Sequence, residues 1–562
     1  MKQFNKYGVA VAVAAVAAAA NAASPNPENT GDLAIVPYYT VEGGKNTGVH
    51  IINTTDATQV VKFRMRRGAD SKDAMDFNVV LSPFDEWTAS IQAGGATGVQ
   101  VATADTSCTV PAFTNGVASM PSTYAAGATE GYIEIIGMGS ADDKQPISVA
   151  AKHKDGVPAD CASVRNNFFR VASDAGLGNP EVKGVHFSDV TSNGACDADA
   201  ISAAVTGGAC FGKNVEDNLS FYGETDDRAL AVSYFIRDAD GGLEFGNNAV
   251  MVEQFSDNPM LTNQQPLVFN PDGLLEFDPL NFELPNLGFG AYLAATDRTS
   301  ASTGTVDQLT NGSLFDGVRA ALGTSDILND WSDKTVAEAT VNTDWVVTLP
   351  GQYLMQDNVC AAYDNYAQSQ TACAATDTAG TNLVSLDEDE LPLFIASFVD
   401  GGATVGTGNW EIFDREEGVL ASKDSEAPTP DDELGFSPGG QATDPDAEQT
   451  DAELKREVNV IVWSQDTDSM GVLDSAADQS EALGLRTVVS VPGDATNGWA
   501  RLSIEPNADS DTSLFLVNNN GTLDDGDTLN PAQGPSRSYG EFSSISVGGA
   551  TPVVGFAVWQ RN

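Results

Sequence analysis

Histidine and cysteine are scarce in this chain. Three histidines (His50, His153 and His186) and six cysteines occur among 562 residues, and no two cysteines have C-x-x-C spacing. Because structural zinc sites need clustered cysteine and histidine ligands, no zinc site is expected. The sequence also has no G-x-S-x-G, H-E-x-x-H or complete EF-hand motif, so no catalytic or calcium-loop signature identifies a function.

Cationic residues are also few. The chain has 28 Lys and Arg against 79 Asp and Glu, a formal net charge of −51. Nucleic acid is excluded as a partner, because binding to phosphates needs a basic surface. So acidic a chain repels itself unless salt screens the charge or divalent cations neutralise it. Adaptation to a saline habitat and specific ion binding both explain this composition, and the two explanations are compatible.

Long apolar runs are missing except near the N-terminus. Lys2 and Lys6 precede an apolar run over residues 8–20, and Ala20-Asn21-Ala22 has the small residues of a cleavage site. This pattern predicts a secretory signal peptide over residues 1–22, too short for a membrane span. No later stretch is long and apolar enough to cross a bilayer, so no transmembrane insertion is expected.

What the chain has in abundance is the pattern of short strands and turns. It contains 54 glycines, and Asn-Gly and Asp-Gly pairs recur between short β-rich runs. The sequence therefore predicts a mainly β protein of multi-domain β-sandwich architecture with few short helices. Ser313 and Gly323 predict the start and end of one helix over residues 314–322, and a further helical turn is expected over residues 326–331.

Composition divides the chain into six segments. They are a signal peptide (1–22), one or more N-terminal β-sandwich domains (23–267), a strap packed on a domain face (268–290), a middle β-rich region with short helices (291–413), an acidic proline-rich loop (414–457) and a C-terminal β region (458–562).

The one cluster of cations lies on a predicted strand over residues 60–66. Apolar and cationic side chains alternate there, which places Val61, Phe63 and Met65 on one face and Lys62, Arg64 and Arg66 on the other. The cations could contact phosphates or acidic sugars of lipopolysaccharide. Alternatively, they form a solvent-exposed face paired with acidic neighbouring strands.

Calcium is the cofactor that the acidic turns favour. Calcium binds carboxylate and carbonyl oxygens on flexible loops. Two acidic turns at strand ends are the best candidates, and their proposed ligands are Asp238, Asp240, Asp524, Asp525 and Asp527. The alternative is that each turn is solvated without an ion.

No residue set points to catalysis, so no enzyme is expected and no catalytic residue is assigned. Two other functions remain open. A carboxylate-type hydrolase needs only two Asp or Glu residues in a cleft, but no pair stands out. A carbohydrate-binding adhesin needs exposed aromatic residues, for which Tyr38, Tyr39 and Trp87 are candidates unless they pack in the core.

Four stretches carry a resemblance to a known group of proteins: residues 33–40, 76–83, 344–350 and 552–556. With the acidity and the signal peptide, the chain resembles the surface-layer proteins of marine gammaproteobacteria. The resemblance implies a secreted protein that forms a paracrystalline coat on the outer membrane and is shed into the biofilm matrix. The shared patterns are packing patterns, so no functional residue follows from them.

Secretion predicts that the cysteines form disulfides. Local pairing gives Cys196 with Cys210 and Cys360 with Cys373, and it leaves Cys108 and Cys161 as the third pair. Six cysteines permit 15 connectivities, so other pairings and free thiols remain alternatives at this point.

We expect non-reducing peptide mapping to recover Cys196 linked to Cys210 and Cys360 linked to Cys373. Each closed loop is short, and its closure is expected to stabilise the fold by about 3 kcal/mol. Recovery of either pair as free thiols, or of cross-linked pairs, would contradict local pairing.

Overall fold

A computed structural model of the chain shows the fold. It describes residues 24–26, 28–69, 73–94, 98–120, 127–166, 172–174, 179–182, 222–238, 242–257, 260, 285–288, 313–336, 339–351, 406–415, 419–421, 451–454, 456–464, 469–475, 485–489, 495–504, 513–519, 539–546 and 551–561. The predicted signal peptide and most of the acidic loop at 414–457 lie outside these residues.

The N-terminal part is built from short strands. They are β1 (Ser24–Pro25), β2 (Leu33–Thr40), β3 (Asn46–Asn53), β4 (Thr58–Arg67), β5 (Asp73–Leu81), β6 (Glu86–Gly94), β7 (Gly98–Ala102), β8 (Cys108–Val110), β9 (Val117–Ser119), β10 (Glu130–Ala141), β11 (His153–Lys154), β12 (Val157–Pro158), β13 (Ala172–Asp174), β14 (Asn179–Val182), β15 (Leu230–Asp238), β16 (Leu243–Asn248) and β17 (Val250–Glu253). Its helical elements are a 3-10 turn (Glu42–Gly44), α1 (Pro146–Ala151) and α2 (Cys161–Asn166).

The C-terminal part begins with a helix and continues in strands. They are α3 (Ser313–Leu322), β18 (Gly323–Thr324), β19 (Asp326–Val336), β20 (Ala339–Thr348), β21 (Gly406–Asp414), β22 (Val419–Ala421), β23 (Asp451–Leu454), β24 (Val458–Trp463), β25 (Arg486–Val489), β26 (Asn497–Ile504), β27 (Ser513–Asn519), β28 (Tyr539–Ser546), β29 (Thr551–Pro552) and β30 (Val554–Arg561).

Two sheets form an N-terminal sandwich. The first sheet has the strand order β1-β17-β2-β10-β4-β5-β8, and the second has the order β16-β15-β3-β6-β7-β9. The apolar face of β4 points into the space between them, where Phe63 stacks on Phe77 at 4.8 Å and contacts Trp87 at 5.6 Å between ring centroids. This is the core that the period-two pattern of β4 predicts.

The third sheet folds over its own core. Its order is β22-β21-β26-β19-β20-β24-β25, with β23 on β21 and β30 on β20. Trp410 on β21 and Trp463 on β24 are four strands apart, roughly 19 Å in a flat sheet. Their ring centroids are nevertheless 5.2 Å apart, so the β21 half of the sheet packs on the β24 half. Trp331 and Trp345 complete this aromatic core.

The two sandwiches stack face to face at a surface that we call the sandwich interface. Leu33 and Ile35 of the first sheet share a core there with Val458, Val460 and Val462 of β24. Strands β2 and β24 are consequently buried along their whole length. The backbone N–H of Val458 donates to the carbonyl of Gly68 over 2.9 Å, so the two backbones are in direct contact.

The structure confirms the predicted fold class: the chain is mainly β, with several antiparallel sheets in sandwich-like layers. Helix α3 also lies where Ser313 and Gly323 place it. The helical turn expected over residues 326–331 is wrong, because these residues pair with β26 as part of β19. Within the segment predicted as an acidic loop, β22 and β23 pair with β21 at its two ends.

The third cysteine pair is bonded. Cys108 on β8 and Cys161 at the start of α2 form a disulfide with a Cα–Cα distance of 5.3 Å. The bond ties the two short helices to the edge of the first sheet. Cys196, Cys210, Cys360 and Cys373 lie outside the described residues, so their pairing stays a prediction.

Candidate functional site

The three cations of β4 lie inside the protein. Lys62 is 1% exposed, and Arg64 and Arg66 are 0% exposed. The prediction that they form a solvent-facing patch, and with it their contact with lipopolysaccharide, is wrong. The strand does alternate as predicted, but its cationic face points into the sandwich interface, which the third sheet and residues 285–288 cover.

Acidic residues of the same sheet neutralise these cations. Asp76 lies directly across from Arg64 in the β4–β5 register. Its carboxylate is 3.4 Å from Lys62 Nζ and 3.4 Å from Arg64 Nη2. Arg64 Nη1 also donates to the Pro285 carbonyl over 2.8 Å. Pro285 belongs to the segment predicted as a strap, and residues 285–288 of that segment are buried.

A second buried ion pair of the first sheet is linked to the C-terminal part through Tyr132. Arg66 Nε donates to Glu134 Oε1 over 2.6 Å, and neither side chain is exposed. The Tyr132 hydroxyl is 3.0 Å from Glu134 Oε1 and 2.8 Å from Glu457 Oε1 of the C-terminal part. Glu457 accepts the Gly351 N–H over 2.9 Å. Charged groups therefore link the sandwiches at a place where apolar packing alone would give no fixed register.

A further polar link lies at the end of the 3-10 turn. Lys45 is buried and donates to Asp474 over 2.7 Å. Nearby, the Tyr38 hydroxyl donates to Glu130, whose other oxygen accepts the Ser475 hydroxyl over 3.2 Å. Burial, followed by the charge of Glu130, raises the pKa of Tyr38 well above its ordinary value of 10.0. Tyr38 is therefore a neutral donor throughout the physiological pH range.

Two buried aspartates hold loops against these sheets. Asp32 accepts the backbone N–H groups of Phe255 and Ser256, and Asp344 accepts those of Val472 and Leu473. Burial raises the pKa of both carboxyls from 3.8 to about 7, although the N–H donors act in the opposite direction. Asp344 also packs on Gly471, whose φ is +73° and where a Cβ would lie 2.6 Å from the carboxylate.

Only one of the five proposed calcium ligands, Asp238, lies among the described residues. Asp238 lies half-buried at the end of β15, where its carbonyl accepts the Gly242 N–H over 3.0 Å. The other four proposed ligands lie outside the described residues: Asp240, Asp524, Asp525 and Asp527. Among the residues that are described, no three or more His, Cys, Asp or Glu side chains cluster as a metal site would require. Calcium binding therefore stays a prediction.

The aromatic residues considered for glycan binding are core residues. Tyr38, Tyr39 and Trp87 are all fully buried. Of the two interpretations that the sequence left open for them, the structure supports packing.

A different pair of aromatic residues is exposed. Trp499 on β26 is 41% exposed and Trp559 on β30 is 48% exposed. Both line a groove of about 590 Å³. Each Trp side chain leaves roughly 100 Å² of its accessible surface in water. Burying that surface would contribute about 2.5 kcal/mol of hydrophobic stabilisation. We call this site the Trp groove; its polar lining consists of Asp330, Ser332, Asp414, Arg415 and Asn497.

Strand register builds one wall of the Trp groove. Trp499 lies directly between Phe413 on β21 and Asp330 on β19, and residues opposite each other share a face of the sheet. The rings of Phe413 and Trp499 stack at 4.0 Å with 9° between their planes. The Phe413 ring therefore covers one face of the Trp499 indole. The sequence predicts a helical turn over residues 326–331 of β19, and it does not reveal which faces of a sheet other layers leave uncovered.

An ion-pair network lies on the same strands. Arg501, two residues beyond Trp499, donates to Asp326 over 2.8 Å and is 3.4 Å from Glu411. The hydrogen bond from Arg501 is the largest influence on Asp326 and lowers the pKa of its carboxyl to about 2. These carboxylates are therefore occupied by an internal cation.

No protein family, curated protein or solved structure matches this chain. Across the described residues, helices are too short and too polar for one to span a bilayer.

The burial of the β4 cations predicts a large loss of stability on neutralisation. We expect the variant K62Q/R64Q/R66Q to lose at least about 3–5 kcal/mol of unfolding free energy, because it strands Asp76 and Glu134 as buried charges. The measurement is chemical denaturation. Arg228→Gln is the matched control: this Arg is 53% exposed and pairs with Glu28 and Glu253, so we expect a change within about 1 kcal/mol. Similar effects of the two variants would contradict the burial.

The raised pKa values predict that stability falls as pH rises. Asp32 and Asp344 keep their protons up to about pH 7 in the folded state but release them near 3.8 when unfolded. Between these values the folded state binds more protons, so each group removes up to roughly 4 kcal/mol on going from pH 4 to pH 8. Asp32→Asn and Asp344→Asn should flatten a plot of melting temperature against pH.

Asp160→Asn is the control for this pH profile. Hydrogen bonds from Ser163 lower the pKa of Asp160, so its contribution to stability has the opposite sign and is lost in acid. A wild-type protein that gains stability between pH 4 and pH 7, with the gain unchanged in D32N and D344N, would contradict the prediction.

Proposed function

We propose that this chain is a secreted structural protein of the cell surface that associates with copies of itself into a lattice on the outer membrane and contributes to the biofilm matrix. The resemblance to surface-layer proteins suggests this function. In this proposal the chain is not an enzyme, and calcium joins or shapes its subunits.

The observation that carries the proposal is the uneven distribution of charge. Among the residues whose burial the structure describes, six of 16 Lys and Arg are buried, compared with five of 29 Asp and Glu. The buried cations are Lys45, Lys62, Arg64, Arg66, Arg319 and Arg456. The interior thus uses a larger share of the cations, and few remain outside to neutralise a strongly acidic surface.

Such a surface needs added cations before copies can touch. Bulk salt screens charges only beyond about 8–10 Å, whereas subunits in contact bring carboxylates closer than this. Calcium takes six to eight oxygen ligands and can therefore neutralise several carboxylates at one contact. Magnesium demands tighter octahedral geometry and is expected to substitute poorly.

The stacked sandwiches suit a lattice subunit for a second reason. A lattice keeps its order only if each subunit keeps its shape. The sandwich interface combines a continuous apolar core with the ion pair between Lys45 of the N-terminal part and Asp474 of the C-terminal part. Relative motion of the two sandwiches would expose this core and separate these charges, so it is disfavoured.

Lipopolysaccharide or another surface glycan stays the expected anchor on the outer membrane, by way of residues other than the buried β4 cations. A carbohydrate-binding adhesin is the second candidate function, and the Trp groove is the observation that favours it. For the third candidate, a secreted carboxylate-type hydrolase, the groove supplies Asp330 and Asp414. A reducing-sugar assay on neutral polysaccharides would detect that activity.

We expect the purified protein to form ordered sheets in millimolar calcium and to disperse when a chelator is added. Electron microscopy and analytical ultracentrifugation would measure this. Because binding to the folded state alone stabilises it, calcium should also raise the melting temperature.

Two sets of variants test which turns hold the ion. D238N/D240N and D524N/D525N/D527N should raise the calcium concentration needed for assembly. The control D142N/D143N removes two exposed carboxylates from another turn and should not. Sheets that form equally well in chelator at low salt, or a protein that stays monomeric at every calcium concentration, would contradict the proposal.

A further inference from the structure

We propose that the Trp groove binds a neutral saccharide. This inference is independent of lattice formation. It rests on three features of the groove: two exposed indoles, a polar lining between them, and the sign of the surrounding charge.

The indoles provide the stacking surfaces. The ring faces of tryptophan carry negative partial charge and attract the weakly positive C–H groups on the apolar face of a pyranose ring. Phe413 supports Trp499 from one side at 4.0 Å, so the indole does not have to become ordered when a ligand binds. A preorganised ring loses less entropy on binding than a mobile one.

The lining provides hydrogen-bond partners for hydroxyl groups. The carboxylates of Asp330 and Asp414 accept hydrogen bonds, and Asn497 and Ser332 both donate and accept them. A sugar hydroxyl is itself both donor and acceptor, so this mixture matches it. A groove of about 590 Å³ is within the size range of small-ligand sites.

Charge selects a neutral ligand over an anionic one. The lining carries two carboxylates and one cation, Arg415, and the whole chain has a net charge of −51. An acidic sugar, a nucleotide or a phosphorylated headgroup would be repelled. An uncharged saccharide avoids this cost and still uses the carboxylates as acceptors.

The test uses the full-length protein in chelator, so that calcium-driven assembly does not contribute to the signal. The neutral probes are cellotetraose, laminaritetraose, maltotetraose and mannotetraose, and the anionic probe is galacturonotetraose. Tryptophan fluorescence and saturation-transfer NMR measure binding. We expect at least one neutral tetrasaccharide to bind and to change the tryptophan fluorescence.

Variants locate the site. Trp559→Ala and Trp499→Ala should each weaken binding roughly 10-fold or more, the equivalent of about 1.4 kcal/mol of lost stacking. Because Trp499 stacks on Phe413, Trp499→Tyr is added as a conservative variant that should retain part of the affinity. Leu328→Ala is the matched control: it removes a 58% exposed apolar side chain from β19, outside the groove lining, and should bind as the wild type does.

Four outcomes would overturn the inference. The first is that no neutral probe binds at millimolar concentration, and the second is that the protein prefers galacturonotetraose. The third is unchanged binding in both Trp→Ala variants when these keep the wild-type circular dichroism spectrum. The fourth is that the variants lose calcium-driven assembly although no saccharide binds to the protein. The last outcome would make the groove a contact between copies of the chain.

Discussion

The first sheet is covered on both faces, and this constraint governs the rest of the structure. A sheet between two apolar layers cannot leave a charge unpaired, because an isolated buried ion is strongly destabilising. Strand β4 nevertheless carries three cations into the sandwich interface. The neighbouring strands therefore supply Asp76 and Glu134, Pro285 supplies a carbonyl, and Glu457 of the C-terminal part joins through the Tyr132 hydroxyl.

The same buried pairs connect the stability of the fold to the chemistry of its surface. Cations placed in the interior are not available outside, where carboxylates remain in large excess. Copies with such a surface repel each other, and in the proposed lattice their contacts depend on ions from the medium. The charge pairs of the interior are fixed by the fold, whereas the proposed calcium contacts of the exterior can form and dissociate while each subunit stays folded.

The Trp groove differs from the rest of this surface. Proteins bury tryptophan where they can. Seven tryptophans occur in the chain, and four of them, Trp331, Trp345, Trp410 and Trp463, lie in the buried core of the third sheet. Trp499 and Trp559 belong to the same sheet but are 41% and 48% exposed. Exposed rings beside carboxylates favour a partner that has both an apolar face and hydroxyl groups.

The sequence by itself determined strand β4, helix α3 and the mainly β class, because period-two alternation, caps and turn residues act over a few positions. It also placed Lys62, Arg64 and Arg66 correctly on one face of β4. Only the tertiary structure decided what covers that face. Alternation identifies two sides of a strand, but Glu457, which reaches the same network through Tyr132, is nearly 400 positions away in the sequence. The Trp groove escaped prediction for the same reason: exposure depends on which layers stack, and local pattern carries no information about stacking.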